Sequence, residues 1–334
     1  MASQSWNARL DRQPTELLLD MSEYLDREAI KSLSCVNKRF RSLFLPAHSD
    51  RVNFTGDVSR ITSSLVLLMR EQPTFTKEPT YKYVTYVRFD LQPSRPIDLS
   101  TQIAGLVRRL LEQPKLEKVT VLSYDFYKLL ETEAPQLERL AFMDFRGMPL
   151  VESNKPLIDR ELTMSMSILH GIRDHFKDLE CLVLGEILNP QWPWGHRRFR
   201  TMSDQTKLNT MQALVVRDLK KMPKLTHFAF VLSDDTVGGG PDYFDGIWQP
   251  WRNDIHNLDK DRWYKEFLGS ILNSVSQLQQ LSIRAGPSVY CRGIKSPGED
   301  PGKDVLRITW DTNQGETGDE FDNFFVPSPR HNAI

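Results

Sequence analysis

Apolar residues near the start of the chain recur at helical spacing. Leu17, Met21 and Leu25 lie four residues apart and would form one apolar stripe on a helix. Asp26 is a candidate N-cap for a second helix, and residues 38–44 form a third short apolar segment. Three helices of this length bury little surface alone, so the pattern predicts a small module that packs against a partner or a neighbouring domain.

Beyond residue 50, a loose Leu-x-x-Leu-x-Leu motif recurs six times and predicts a series of short buried strands. Three copies carry a proline two residues before the first leucine, which ends the preceding helix. The six copies are Val84, Val87, Phe89; Leu116, Val119, Val121; Leu137, Leu140, Phe142; Leu179, Leu182, Leu184; Leu225, Phe228, Phe230; and Leu278, Leu281, Ile283.

The segments between these motifs carry apolar residues at helical period, so the sequence predicts an α/β fold with a parallel sheet covered by helices. The copies are unevenly spaced, which indicates an irregular array with insertions. Val305, Ile308 and Trp310 predict a seventh, terminal strand. The stretch from Asn313 onward is rich in Gly, Asp and Glu and predicts a mobile tail over residues 313–334.

The sequence PTELLLDMSEYLDREAIKSLSCVNKRFRSL, residues 14–43, resembles an F-box. Gln13 departs from the pattern, because an F-box has leucine before the proline. The matching positions are Pro14, Leu17, Leu18, Tyr24, Leu25, Leu33, Val36, Lys38, Phe40 and Arg41. The remainder resembles, less closely, the divergent leucine-rich domains of F-box proteins from filamentous fungi.

The resemblance implies a non-catalytic substrate receptor of an SCF-type cullin ubiquitin ligase. The three helices (residues 8–50) would bind a Skp-type adaptor and, through it, cullin, and residues 51–312 would form an irregular leucine-rich-repeat-like solenoid that recruits a protein substrate. The residues expected to contact the adaptor are Pro14, Leu17, Leu18, Met21, Leu25, Leu33, Val36 and Phe40.

Several alternatives stay open at this point. The helices could be an amphipathic cap on the second region, and that region could be a non-repetitive α/β domain. The whole chain could also be a protein-binding scaffold outside any ligase, or an enzyme whose site carries no recognisable motif. A deep polar pocket with strongly perturbed ionisable groups would favour the enzyme.

Charge and cysteine content narrow the choice of partners. The 43 basic and 44 acidic residues leave a net charge of -1, so no positive field favours nucleic acid or a membrane surface. The three cysteines are far apart, which argues against disulfides and zinc, and no apolar run reaches the length of about 18 residues that a membrane span needs. We therefore expect a cytoplasmic or nuclear protein without metal or cofactor.

No motif predicts a catalytic residue. The Gly-rich stretch 238–246 lacks the lysine and helix of a phosphate loop. His170 and His175 are five residues apart and would lie on different sides of a helix, so surface positions are expected. Cys181 lies within a predicted strand and should be an inert core thiol.

Large aromatic residues in the long loops suggest where a substrate would bind. Both loops follow predicted strands at the same end, and one also carries a basic cluster. Packing of the loops onto each other would explain the same residues. The candidate substrate-binding residues are Trp192, Trp194, Arg197, Arg198, Trp248 and Trp251.

Overall fold

The computed structural model describes residues 10–22, 24–70, 79–91, 101–143, 168–186, 204–231, 256–286, 289–297, 304–312 and 320–325. The chain divides into two compact units, residues 1–118 and 119–334. The protein is mixed α/β, and its nine described strands pair mostly in parallel. The division between the units lies beyond the boundary expected after residue 50, because the first strands and helices of the α/β region belong to the same unit as the N-terminal helices.

The first unit begins with three short helices and continues into a parallel strand pair. Its elements are a 3-10 turn (Leu10–Arg12), α1 (Thr15–Ser22), α2 (Arg27–Val36), α3 (Lys38–His48), β1 (Arg51–Gly56), α4 (Val58–Met69), a second 3-10 turn (Thr80–Tyr83), β2 (Tyr86–Leu91) and α5 (Thr101–Leu111).

The strands β1 and β2 pair in parallel register from Arg51 opposite Tyr86 to Gly56 opposite Leu91. Phe54 and Phe89 face each other across this pair and stack with ring centroids 5.3 Å apart. Gly56 has φ +132°, a conformation that side chains with a Cβ rarely adopt, and so permits the sharp exit into α4.

The second unit is an alternating series of strands and helices, followed by an antiparallel hairpin and a short helix. Its elements are β3 (Lys118–Val121, which begins at the unit boundary), α6 (Tyr124–Glu133), β4 (Arg139–Phe142), α7 (168–175), β5 (Cys181–Glu186), α8 (Asp204–Leu219), β6 (His227–Val231), α9 (His256–Ser274), β7 (Gln280–Gly286), β8 (Val289–Pro297), β9 (Asp304–Thr312) and α10 (Glu320–Phe325).

Five of the six predicted strand motifs form β3 to β7, which pair successively in chain order and in parallel. The first motif forms β2 in the other unit. The prediction of parallel strands is therefore confirmed for β3 to β7. The predicted seventh strand exists as β9, but it is antiparallel, and the unpredicted β8 lies between it and β7.

The two faces of the second unit's sheet differ in what covers them. One face carries large apolar side chains against the helices: Phe142 of β4 stacks on Tyr127 of α6 at 5.0 Å, and Phe230 of β6 meets Phe267 of α9 at 6.3 Å. Register places four smaller residues and one arginine on the opposite face, in a row that runs across five strands. That row is Ala141, Val183, Ala229, Ser282 and Arg292.

The C-terminal helix α10 lies on this second face. Phe324 contacts Tyr290 of β8, and Phe325 contacts His227 of β6. Phe321 and Phe324 are buried. Within the stretch 313–334, predicted as a mobile tail, residues 320–325 thus form a helix, because phenylalanines at helical spacing give this short segment an apolar side to bury.

Candidate protein-binding surface on the N-terminal helices

The N-terminal module, defined as residues 10–48, has a very small core. Leu18 of α1, Ile30 of α2, and Phe40 and Phe44 of α3 are its buried apolar residues. The rings of Phe40 and Phe44 meet edge to face with centroids 5.7 Å apart. Leu25, Leu33 and Leu43 are partly buried against this cluster. The predicted three-helix arrangement is present, and α1 to α3 share one apolar centre.

Side-chain caps fix where the helices of the module begin. The Asp26 carboxylate accepts a hydrogen bond from the Ala29 amide at 2.7 Å, and the Asn37 side chain accepts one from the Phe40 amide at 2.8 Å. Each cap satisfies an amide at a helix start that has no partner within the helix. The predicted N-cap role of Asp26 is confirmed.

Arg39 ties the segment before α1 to α3. Its guanidinium donates hydrogen bonds to the backbone carbonyls of Asp11 and Gln13. Gln13 is the position where the F-box pattern has leucine, and here its backbone is anchored to the module. The entry to α1 is thus held through the backbone of residue 13, and any residue at this position could accept the same hydrogen bond, since every residue has a backbone carbonyl.

Large apolar side chains point outward from α1, from the turn after it and from the end of α2. Tyr24 is 88% exposed and Val36 is 64% exposed, while Leu17 and Met21 lie one helical turn apart on α1 and are also exposed. Leu10 and Leu19 add to this exposed apolar surface. Single exposed apolar residues are common, but several on one small module make it a candidate binding surface.

The eight residues predicted to contact an adaptor divide into two groups. Leu18 and Phe40 are buried in the core, and Leu25 and Leu33 pack against it, so these four hold the module together. The other four, Pro14, Leu17, Met21 and Val36, are exposed and can meet a partner without any rearrangement.

Sequence reasoning missed Leu10 and Leu19, and it placed Tyr24 in the motif without assigning it to the surface. The motif could not separate core from surface because both sets are apolar and lie at overlapping helical spacings. No signal in the sequence separates Leu18 from Leu17 and Leu19, because that choice depends on the packing of α1 against α3.

The second unit holds a buried polar network between α7 and α8. The Arg173 guanidinium donates to the fully buried Asp218 carboxylate at 2.7 Å, and His170 Nδ1 lies 3.6 Å from the same oxygen. Burial and then the neighbouring Glu131 carboxylate raise the pKa of Tyr127, so its hydroxyl stays protonated. The Arg173–Asp218 pair joins α7 to α8, whereas Tyr127 and Glu131 both lie on α6.

The remaining predicted chemistry has mixed outcomes. His170 and His175 have half-exposed side chains, and Cys181 is buried, as expected. Within the described ranges, no group of three or more metal-ligating side chains occurs. Among the helices described, none is long and apolar enough to cross a membrane.

The predicted substrate-binding residues Trp192, Trp194, Arg197, Arg198, Trp248 and Trp251 lie outside the described residues.

Comparison with known proteins gives little. No protein family matches the chain, and no curated protein matches it. Among solved structures, the arginine decarboxylase of Paramecium bursaria Chlorella virus is similar at 10% identity and a TM-score of 0.24, over 88% of this chain and 74% of that chain. A TM-score this low carries no argument about fold or activity.

Proposed function

We propose that the protein is a substrate-recruiting F-box subunit of an SCF-type cullin ubiquitin ligase. The N-terminal module would bind a Skp-type adaptor, and the strand-helix series would act as an irregular leucine-rich-repeat-like receptor for a protein substrate. The observation that carries the proposal is that the segment resembling an F-box forms α1 to α3, which expose Leu17, Met21 and Val36 around a core of four buried residues.

The N-terminal module gains little stability from its own core. Fully burying one large apolar side chain stabilises by roughly 1.5–3 kcal/mol, and about 1–2 kcal/mol per residue opposes folding through lost backbone entropy. A module with so few buried apolar residues gains from a partner that covers the exposed ones. A Skp-type adaptor that presents an apolar groove fits this requirement without any catalytic group in the chain.

The decisive experiment changes only exposed residues. The double variant Leu17→Asp and Met21→Asp would place two charges in the adaptor interface, where desolvation opposes binding. We expect adaptor co-purification to fall at least tenfold while the thermal transition of the protein is nearly unchanged. Retention of the adaptor by the folded double variant would refute the proposal.

Two matched variants show whether a loss of adaptor binding comes from the changed surface or from unfolding of the module. Leu67→Asp on α4 changes a leucine that is 63% exposed and lies outside the module, so adaptor binding should persist. Leu18→Asp changes the buried neighbour of Leu17 and should unfold the module, which gives the signature of indirect loss. A circular dichroism melt of each variant separates the two.

Ligase membership and substrate capture are tested separately. Reconstitution with adaptor, cullin and conjugating enzyme should produce ubiquitin transfer to a captured substrate. Binding of the adaptor without transfer would favour the non-ligase scaffold. For substrate recruitment, we propose the residues Trp192, Trp194, Arg197, Arg198, Trp248 and Trp251, whose combined alanine replacement should abolish substrate capture and leave adaptor binding intact.

A further inference from the structure

The C-terminal helix α10 presents three phenylalanines to the sheet at positions i, i+3 and i+4. Phe321 and Phe324 are buried, and Phe325 is half-buried. The Phe324 ring meets Tyr290 at 5.2 Å and the Phe325 ring meets His227 at 5.4 Å, both edge to face. The face opposite the long helices therefore holds a shaped site for a short aromatic helix.

The sheet also binds the backbone at the end of this helix. Arg292 Nε donates to the Phe324 carbonyl at 2.8 Å, and Gln280 Nε2 donates to the Phe325 carbonyl at 3.1 Å. Carbonyls in the last turn of a helix have no partner within the helix, and they carry its partial negative charge. The Arg292 guanidinium and the Gln280 amide thus bind backbone carbonyls at the end of a helix. Every peptide helix has such carbonyls at its C-terminal end.

The sheet itself holds this recognition site in place. Arg292 is 1% exposed, and its guanidinium forms an ion pair with Asp311 of β9. The pair joins β8 to β9 without help from α10. By contrast, α10 has six residues, far fewer than an isolated helix needs to persist in water. The helix depends on the sheet for its structure, whereas Arg292 is already fixed by the ion pair.

One polar group on this face is not used by α10. Ser282 of β7 lies opposite Arg292 in the register, and its buried hydroxyl has no hydrogen-bond partner within the described part of the chain. A buried unsatisfied hydroxyl carries a desolvation penalty of about 1–3 kcal/mol. A ligand with a polar group at this point would remove that penalty, which α10 leaves in place.

We propose that the face formed by β6, β7 and β8 is a docking site for a short helix of a partner protein that carries phenylalanines at i, i+3 and i+4, and that α10 is the resident occupant such a partner replaces. The site lies within the second unit and goes beyond adaptor binding by the N-terminal module. Replacement exchanges one set of aromatic and carbonyl contacts for another, so the chain would accept a partner only when its helix competes with α10.

The test uses the full chain with α10 released by Phe321→Ser, Phe324→Ser and Phe325→Ser. The probe is a fluorescein-labelled peptide with the sequence of residues 318–328. We expect saturable binding to the released chain, at least tenfold tighter than to the unaltered chain, where α10 competes. A peptide with serine at its three phenylalanine positions should not bind. Gln280→Ala added to the released chain should weaken binding about fivefold, through the lost carbonyl contact.

Each contrary result overturns the proposal. If the released chain loses its cooperative thermal transition, α10 is part of the core and is not replaceable. If the chain stays folded but does not bind the peptide, the face is not a docking site. If it forms a dimer that excludes the peptide, the occupant is a second copy of this chain and not a partner.

A second measurement needs no variant. In hydrogen exchange on the unaltered chain, α10 amides should exchange at least tenfold faster than those of β6, because replacement requires local opening. Equal protection of α10 and β6 would also overturn the proposal.

Discussion

The N-terminal module and the sheet of the second unit differ in how much of their apolar surface is buried. In the sheet, the residues that face the helices, such as Leu182, Phe228 and Leu281, have no exposed surface. In the module, four apolar residues are buried while Leu17, Met21, Tyr24 and Val36 stay exposed. Both regions show clear apolar patterns in the sequence.

An apolar period in the sequence therefore predicts which residues form an apolar stripe. It does not predict which surface, of the same chain or of another, covers that stripe. The sheet buries its apolar rows against its own helices, so its stability comes from within the chain. The module lacks enough covering surface within its described residues, so part of its apolar surface stays exposed.

Phe228→Ala should cost about 3–5 kcal/mol of unfolding free energy in the second unit, because it leaves a cavity among fully buried side chains. Urea denaturation followed by tryptophan fluorescence measures the loss. Leu67→Ala on the exposed side of α4 is the control and should change stability by less than about 0.5 kcal/mol. If Phe228→Ala lowered the unfolding free energy no more than the control does, burial in the sheet would not be what stabilises the second unit.

Asp218→Ala should cost about 3 kcal/mol, because it leaves the Arg173 guanidinium without its buried partner between α7 and α8. Chemical denaturation again measures the change. Adding Arg173→Met to Asp218→Leu should restore most of the stability, since a well-packed apolar pair can replace a buried ion pair. Simple addition of two separate losses would show that the two side chains are not coupled.

Asn37→Ala should cost about 1 kcal/mol, because the Phe40 amide loses its acceptor at the start of α3. In a module with four buried apolar residues, this is a large share of the stability. Thermal melts with and without the adaptor should show a larger shift without it. The matched change Asp57→Ala removes the same kind of cap from α4, which lies outside the module. If the adaptor reduced the loss of thermal stability equally in both variants, the exposed surface of the module would not explain its low stability.

His227 gives the smallest effect and links pH to the face that carries α10. Burial, and then the nearby Arg139 charge, lower the pKa of His227 below its usual 6.5, while Glu180 acts in the opposite direction. The unfolded chain therefore binds the proton more readily. The stability contribution is fully present above pH 6.5 and is lost as pH falls through the lowered pKa.

Denaturation midpoints above and below that pH should show this loss, and His227→Gln should reduce it. An unchanged pH dependence in the variant would show that other groups, and not His227, titrate in this range.

Sequence patterns predicted β3 to β7 because each strand carries an apolar motif long enough to register and lies between helical segments. They missed β8, whose residues include Arg292, Gly293 and Lys295, because its pairing depends on the hairpin formed with β7 and β9. They missed β1 because its sequence, RVNFTG, holds only two large apolar residues and no copy of the motif. Strands that lack a continuous apolar pattern leave a weak local signal.

The candidate binding surface was predictable as a segment but not residue by residue. The motif located the three helices and the Asp26 cap, since both depend on local spacing. It could not assign Leu18 to the core and Leu17 to the surface, because that choice is made by the packing of α1 against α3. The helix α10 carried a readable signal, three phenylalanines at helical spacing, but its acidic and Gly-rich surroundings favoured a mobile tail.

The antiparallel hairpin of β8 and β9 has a consequence for how such a chain could change in evolution. Parallel β3 to β7 each offer the next strand the same kind of edge, so a strand-helix unit could be gained or lost among them with little disturbance. The hairpin reverses strand direction and ends the described sheet at β9, with Val305 and Arg307 exposed along that strand. A charged side chain such as Arg307 on a terminal strand discourages edge-to-edge pairing with another chain.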